Sequence, residues 1–192
     1  MNKLRLSCGA FLLLAASATA VNAQVAEFGV AGGITRLTNA DLSSGYTLDD
    51  GWNVIFRLTV NNDTYMGHEF GYAYNRTKLL LSGASQGGMA AHQGFYNYLL
   101  YGAREGKRVR PFVTGGGHFT NFVPPGASAT QGGGSTKFGV NYGGGVKVKL
   151  TDKYLFRVDY RQNLQGKPFG DSLPVSGWLK LNQISAGISF TL

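Results

Sequence analysis

The sequence predicts an all-β fold, an eight-stranded antiparallel up-and-down transmembrane β-barrel, from three observations. Apolar and polar residues alternate with period two in eight segments of about ten residues, and no sustained helical period occurs. The connections between these segments are alternately long and short. One face of each segment is bulky and apolar, whereas the other holds Gly, Ser, Asn and a few charges. A tilted strand needs ~9–11 residues to cross a bilayer. Strands of soluble proteins more often have ~5–6.

The chain opens with a targeting segment. Lys3 and Arg5 precede an apolar run from Phe11 through Ala20, and Val21-Asn22-Ala23 offers a small-residue cleavage site, as does Ala18-Thr19-Ala20. This is the pattern of a secretory signal peptide over residues 1–23, too short in its apolar run to span a membrane as a helix. The barrel domain is then 24–192. Cys8 is the only cysteine and lies in the signal, so the exported chain has neither disulfide nor thiol chemistry. It also precedes the apolar run, whereas a lipoprotein cysteine would follow it.

Glycine, 29 of 192 residues, is about twice its usual share and argues against helices. It is scattered through alternating segments rather than gathered in one flexible tract. The formal charge of +8 could suit nucleic acid, but an exported protein is not expected to meet it. Anionic lipid head groups or envelope polymers are the expected counterparts, alongside a plain solvated basic surface.

The strands are expected at 25–36, 52–61, 65–75, 92–101, 109–119, 138–150, 154–163 and 178–192. The first gap, "LTNADLSSGYTLDDG", is long and the second, around Asn62 and Asp63, is short. "RTKLLLSGASQGGMAA" is long, "GAREGKR" modest, "TNFVPPGASATQGGGSTK" long, "TDK" short, and "LQGKPFGDSLPVSG" long. Strict alternation places every long loop on one rim. Bacterial outer-membrane barrels have this asymmetry, with short periplasmic turns and an even strand number. Both chain ends then lie at the periplasmic rim.

Within strands, Trp52, Val54, Phe56, Leu58 and Val60 oppose Asn53, Ile55, Arg57 and Thr59. Phe70, Tyr72 and Tyr74 oppose Glu69, Gly71, Ala73 and Asn75. In "LFRVDYRQN", Phe156, Val158 and Tyr160 oppose Arg157, Asp159 and Arg161. An exterior of Gly, Ser and Asn would solvate a soluble barrel poorly, so the apolar face is assigned to lipid and the polar face to the lumen. Arg57, Glu69, Arg157, Asp159 and Arg161 are therefore expected to form a structural ion-pair network in the lumen, with room supplied by "TGGGH" (114–118) and "YGGGVK" (142–147). Trp52 and Trp178 are expected at the long-loop interface, and Tyr65, Tyr101 and Tyr154 at the short-turn interface.

On "VRPFVTGGGHF" (109–119), "NYGGGVKVKLTDKYLFRVDYRQN" (141–163) and "QISAGISFTL" (183–192) the chain resembles the OmpA-type eight-stranded outer-membrane barrel family, over essentially all of its length after the signal. The resemblance implies export to the outer membrane of a Gram-negative-type bacterium, contact with membrane lipid and lipopolysaccharide, and insertion by the outer-membrane assembly machinery through the C-terminal strand. Members of that family differ in role, so the resemblance is specific for fold and not for function. Against that resemblance, the barrel is expected to close on Phe190-Thr191-Leu192 rather than on an aromatic residue, and tethering to the cell wall through a peptidoglycan-binding domain is not expected.

No catalytic motif is legible. His68, His92 and His118 belong to no nucleophile motif, although Ser82 and Ser85 precede His92. Three dispersed histidines give no metal spacing, and no cofactor is implied. "GGGSTK" (132–137) lacks the order of a phosphate loop and a following helix. The expected function is a non-enzymatic integral outer-membrane barrel, structural or surface-interacting, with at most a narrow solute path. A lipid-modifying barrel enzyme of the deacylase type and a soluble periplasmic carrier of an apolar ligand are the alternatives. The former requires His, Ser and an acid together at one rim, and the latter a polar exterior.

Overall fold

The computed structural model describes residues 25–42, 44–62, 65–127, 134–169 and 177–192. The expected signal peptide and Cys8 lie outside these residues. The strands are β1 (Val25–Thr38), β2 (Tyr46–Asn61), β3 (Met66–Leu81), β4 (Ala84–Tyr101), β5 (Val109–Val123), β6 (Ser135–Lys149), β7 (Tyr154–Gly166) and β8 (Trp178–Thr191). Each pairs antiparallel with its sequence neighbour, and β1 pairs with β8 to close the barrel.

Strand ends at the short turns fall within a residue of expectation, but the long-loop ends differ. β3 continues past Asn75 to Leu81, and β4 begins at Ala84 rather than at His92. Their connection is Ser82 and Gly83 alone, both at positive φ (48° and 84°). Two central residues of that hand match the twist of the strands they join. β2 likewise begins at Tyr46, and a register shift between Asp49 and Trp52 interrupts its alternation. At Gly51 an added Cβ would lie 1.8 Å from the Arg76 carbonyl oxygen, so the strands close up where only glycine fits. The second long loop thus turns almost wholly into strand, and the first about half. With 13 to 18 residues, the strands exceed the ~9–11 needed to cross a bilayer, and the surplus extends the barrel beyond its long-loop rim.

The burial pattern inverts that of a soluble protein. Phe28, Val30, Phe56, Phe70, Val140 and Ile188 are exposed on the outside, while Glu69, Asn75, Asn97 and Asn163 are fully enclosed. An apolar exterior of this extent is stable only against hydrocarbon. Three layers fill the lumen: charged groups toward the short turns, amides and hydroxyls above them, and an apolar cluster at the long-loop end. That cluster joins Leu48, Met89, Ala91, Phe122, Leu179 and Leu181, against which Leu37, Leu79 and Phe169 pack. Residues 167–169, leaving β7, close over it. Lys167 Nζ donates to the Asp41 carbonyl (2.6 Å), and the Phe169 N–H donates to Ser135 Oγ (3.0 Å).

One aromatic departs from expectation. Trp52, Trp178, Tyr65 and Tyr154 do face outward, but Tyr101 is buried in the lumen. It ends β4 on the inward parity shared with Asn97 and Leu99, and strand parity outweighs the preference of tyrosine for an interface.

Candidate functional site: a charged lumen

The alternation of β7 delivers Arg157, Asp159 and Arg161 to the lumen, one above another. β6 makes room beside them. Gly143 is in register with Arg161 and Gly145 with Asp159, and a Cβ on either would lie 2.1 or 2.3 Å from a β7 carbonyl oxygen. Diametrically opposite in an eight-strand ring, β3 supplies Glu69, and β2 supplies Arg57.

Glu69 accepts from Arg157, from Arg161 Nη2 (2.8 Å) and from Thr59 Oγ1 (3.2 Å). Arg57 Nη2 donates to both carboxylate oxygens of Asp159 (3.1 and 3.2 Å) and to Ser185 Oγ (3.0 Å), which itself donates to Asp159 (2.9 Å). Arg157 Nη2 lies 3.4 Å from Asp159. All five charged side chains are at most 4% exposed, so none is neutralised by bulk water. Burial of charge is tolerated only with pairing and hydrogen bonding of this kind.

Three guanidinium groups face two carboxylates, which leaves one excess positive charge. Neutral groups take up part of it. With its amide turned to suit its neighbours, Asn97 accepts from both terminal nitrogens of Arg161 (3.2 Å each). Arg161 lies over the Phe95 ring and Arg157 over the Phe112 ring, at 4.4 and 4.5 Å. The Phe95 ring in turn occupies the space left by Gly71, where a Cβ would be 2.2 Å from it.

A second charged group lies nearer the short turns, and the sequence did not single it out. Lys147 Nζ donates to Glu27 (2.6 Å) and to Tyr101 Oη (2.8 Å). Asn61 Nδ2 donates to Glu27 (2.5 Å), and Tyr101 Oη donates to Asn61 (2.6 Å). Arg110 stacks on Tyr101 at 3.7 Å and pairs with Glu105. Strand parity turns Lys147 inward, but its partner on β1 is 120 residues away in sequence and is set by closure. At the rim outside the membrane, Lys149 hydrogen-bonds Asp152 (2.8 Å) and holds its carboxyl below the usual range.

Above the charges runs an amide layer. Gln183 Nε2 donates to Asn75 (2.7 Å), Thr35 Oγ1 donates to Asn75 (2.9 Å), and Asn163 Nδ2 donates to Gln183 (3.0 Å). Each histidine has a neutral partner. Nδ1 of His68 is 2.7 Å from Tyr96 Oη, Nδ1 of His92 is 2.6 Å from Tyr72 Oη, and Nε2 of His118 is 2.9 Å from Gln165. The first two lie on the outside of the barrel and the third inside. Ser82 is at the β3–β4 turn and Ser85 is within β4. Among the described residues, no three metal-ligating side chains gather.

A closed barrel of eight antiparallel strands with an apolar exterior and a charged lumen defines an integral outer-membrane protein. The chain belongs to the family described as outer membrane protein beta-barrel domain, whose model matches residues 7–191. Comparison with curated proteins gives no match. Its fold is similar to that of Neisserial surface protein A, at 16% identity over 88% of this chain and 97% of that one, with a TM-score of 0.60. A major outer membrane protein from Thermus thermophilus has 10% identity over 89% and 100% of the two chains, with a TM-score of 0.57. For the outer membrane protein OprG from Pseudomonas aeruginosa these values are 12%, 89%, 98% and 0.56. The protein is thus a barrel of the outer membrane.

Proposed function

We propose that the protein is a non-enzymatic structural or surface-interacting barrel, with its lumen closed to all but a narrow solute path. The observation that carries this is the bonding of Glu69 to Arg157 and Arg161 across the full width of the barrel. Side chains from β2, β3, β4, β7 and β8 meet in that layer, and the apolar cluster closes the lumen again at the long-loop end. The long-loop end faces outward from the cell, the start of β1 and the end of β8 face the periplasm, and the strand extensions with their connections form the interacting surface. Membrane lipid and lipopolysaccharide surround the barrel, and β8 presents its outward Ile184, Ile188 and Phe190 to the assembly machinery. The histidines support a non-enzymatic role, being engaged by Tyr and Gln rather than by Ser or a carboxylate.

Planar-bilayer recording tests this. The native barrel passes no stable open-pore current, whereas Glu69→Ser combined with Arg157→Ser and Arg161→Ser opens a measurable one. A large ohmic conductance from the native barrel would overturn the closed lumen. Release of fatty acid from lipid A by the purified protein would overturn the non-enzymatic role.

A further inference from the structure

Tyr72, Tyr74, Arg76 and Lys78 stand in one line on the outward face of β3. Below lies a platform of rings. Trp52 and Tyr74 have centroids 5.6 Å apart, Tyr74 and His92 5.3 Å, and Tyr72 Oη bonds His92. Above it, Arg76 and Lys78 are both exposed. Arg76 follows the start of β3 at Met66 by about one bilayer crossing, ~9–11 residues. The two cations therefore sit at the boundary between lipid and water.

The seat of Arg76 is built. A Cβ on Gly88 of β4 would lie 2.3 Å from Arg76 Nε and 2.6 Å from Cζ, so the guanidinium lies over β4 in the space that a side chain at 88 would take. Arg36 has Asp50 and Lys149 has Asp152, but among the described residues no carboxylate is within ion-pair distance of Arg76 or Lys78. Asp49, the register partner of Lys78, instead accepts the N–H of Asp50 (2.8 Å).

We propose that this patch binds a phosphorylated glycolipid of the outer leaflet, with the phosphate on Arg76 and Lys78 and an acyl chain along Trp52, Tyr74 and Tyr72. A guanidinium takes phosphate in a fork of two hydrogen bonds, and the adjacent ammonium adds a point charge. The ring platform selects a lipid over a soluble anion, since it faces hydrocarbon and gives a free phosphate nothing to contact. The assignment rests on the orientation given under Proposed function, with the long-loop end in the outer leaflet.

The folded full barrel in lipid nanodiscs is titrated with bisphosphorylated lipid A, with the same lipid stripped of phosphate, and with inorganic phosphate, following tryptophan fluorescence. The native barrel binds the bisphosphorylated lipid and discriminates against the stripped one. Arg76→Gln with Lys78→Gln weakens binding roughly tenfold or more, as expected for the loss of charge-assisted contacts. Arg36→Gln with Lys180→Gln leaves it within about twofold of native, a shift of under ~0.5 kcal/mol. Equal affinity for the stripped lipid, undiminished binding by the Arg76/Lys78 variant, or competition by inorganic phosphate would each overturn the proposal. The stripped-lipid comparison needs no variant and stands whether or not one folds. Labelling of Lys78→Cys on intact cells checks the orientation separately, and the conductance of the lumen bears on neither result.

Discussion

Glu69 on β3 and Arg157 on β7 bond directly although 88 residues separate them in sequence. Their strands stand on opposite sides of the ring, so this one contact spans the lumen. Arg161 joins it from one level above and Arg57 ties Asp159 to the same layer. The interior is therefore held by charge where a soluble protein uses an apolar core, and the apolar surface is spent on lipid.

Removal of the shared acid is expected to be costly. Glu69→Ala leaves Arg157 and Arg161 buried with one carboxylate fewer and should lower unfolding stability by ~3–5 kcal/mol. Urea unfolding in lipid vesicles measures it. Arg157→Met in addition should recover part of the loss, and a single-variant cost below ~1 kcal/mol would deny the network a role in stability.

The outward face answers to lipid. Val158→Arg, at mid-strand on that face, should destabilise by ~2–4 kcal/mol, whereas Thr136→Arg near the long-loop rim should cost only ~0–1 kcal/mol. The same unfolding experiment reads both. Equal costs at the two positions would contradict a lipid boundary between them.

Gly145 leaves no room for a side chain. Gly145→Val places carbon on the Val158 carbonyl oxygen and against Asp159, and should prevent closure between β6 and β7. On unboiled gels the variant should lose the fast-migrating folded band. A normal heat-dependent shift would mean that the strands can part locally without cost.

Tyr101 separates a lumen role from an interface role. Tyr101→Phe keeps the ring under Arg110 but removes the hydroxyl that accepts from Lys147 and donates to Asn61. The expected loss is ~1–3 kcal/mol, because Lys147 and Asn61 stay buried. An interfacial tyrosine would tolerate this change, so a neutral outcome would return it to the membrane boundary.

The count of strands, their parity and their short-turn ends were legible because alternation with period two is a local property. The faces of Trp52, Phe156, Arg157 and Asp159 follow from it directly. The strand extensions were not legible. Gly51 and the register shift beside it broke the alternation of β2, and the runs of small residues before Met89 resembled a loop although Ser82-Gly83 is a turn signal.

The sequence by itself determined an eight-stranded barrel with lipid outside and charge within, since each strand's two faces are written along its own residues. Only the tertiary structure decided which charges meet. Glu69 with Arg157, Asp159 with Arg57 and Glu27 with Lys147 face one another because closure brings distant strands across one narrow lumen. It also decided that, among the described residues, no carboxylate comes within ion-pair distance of Arg76 or Lys78, since their outward neighbours are fixed by register between strands and not by position along one.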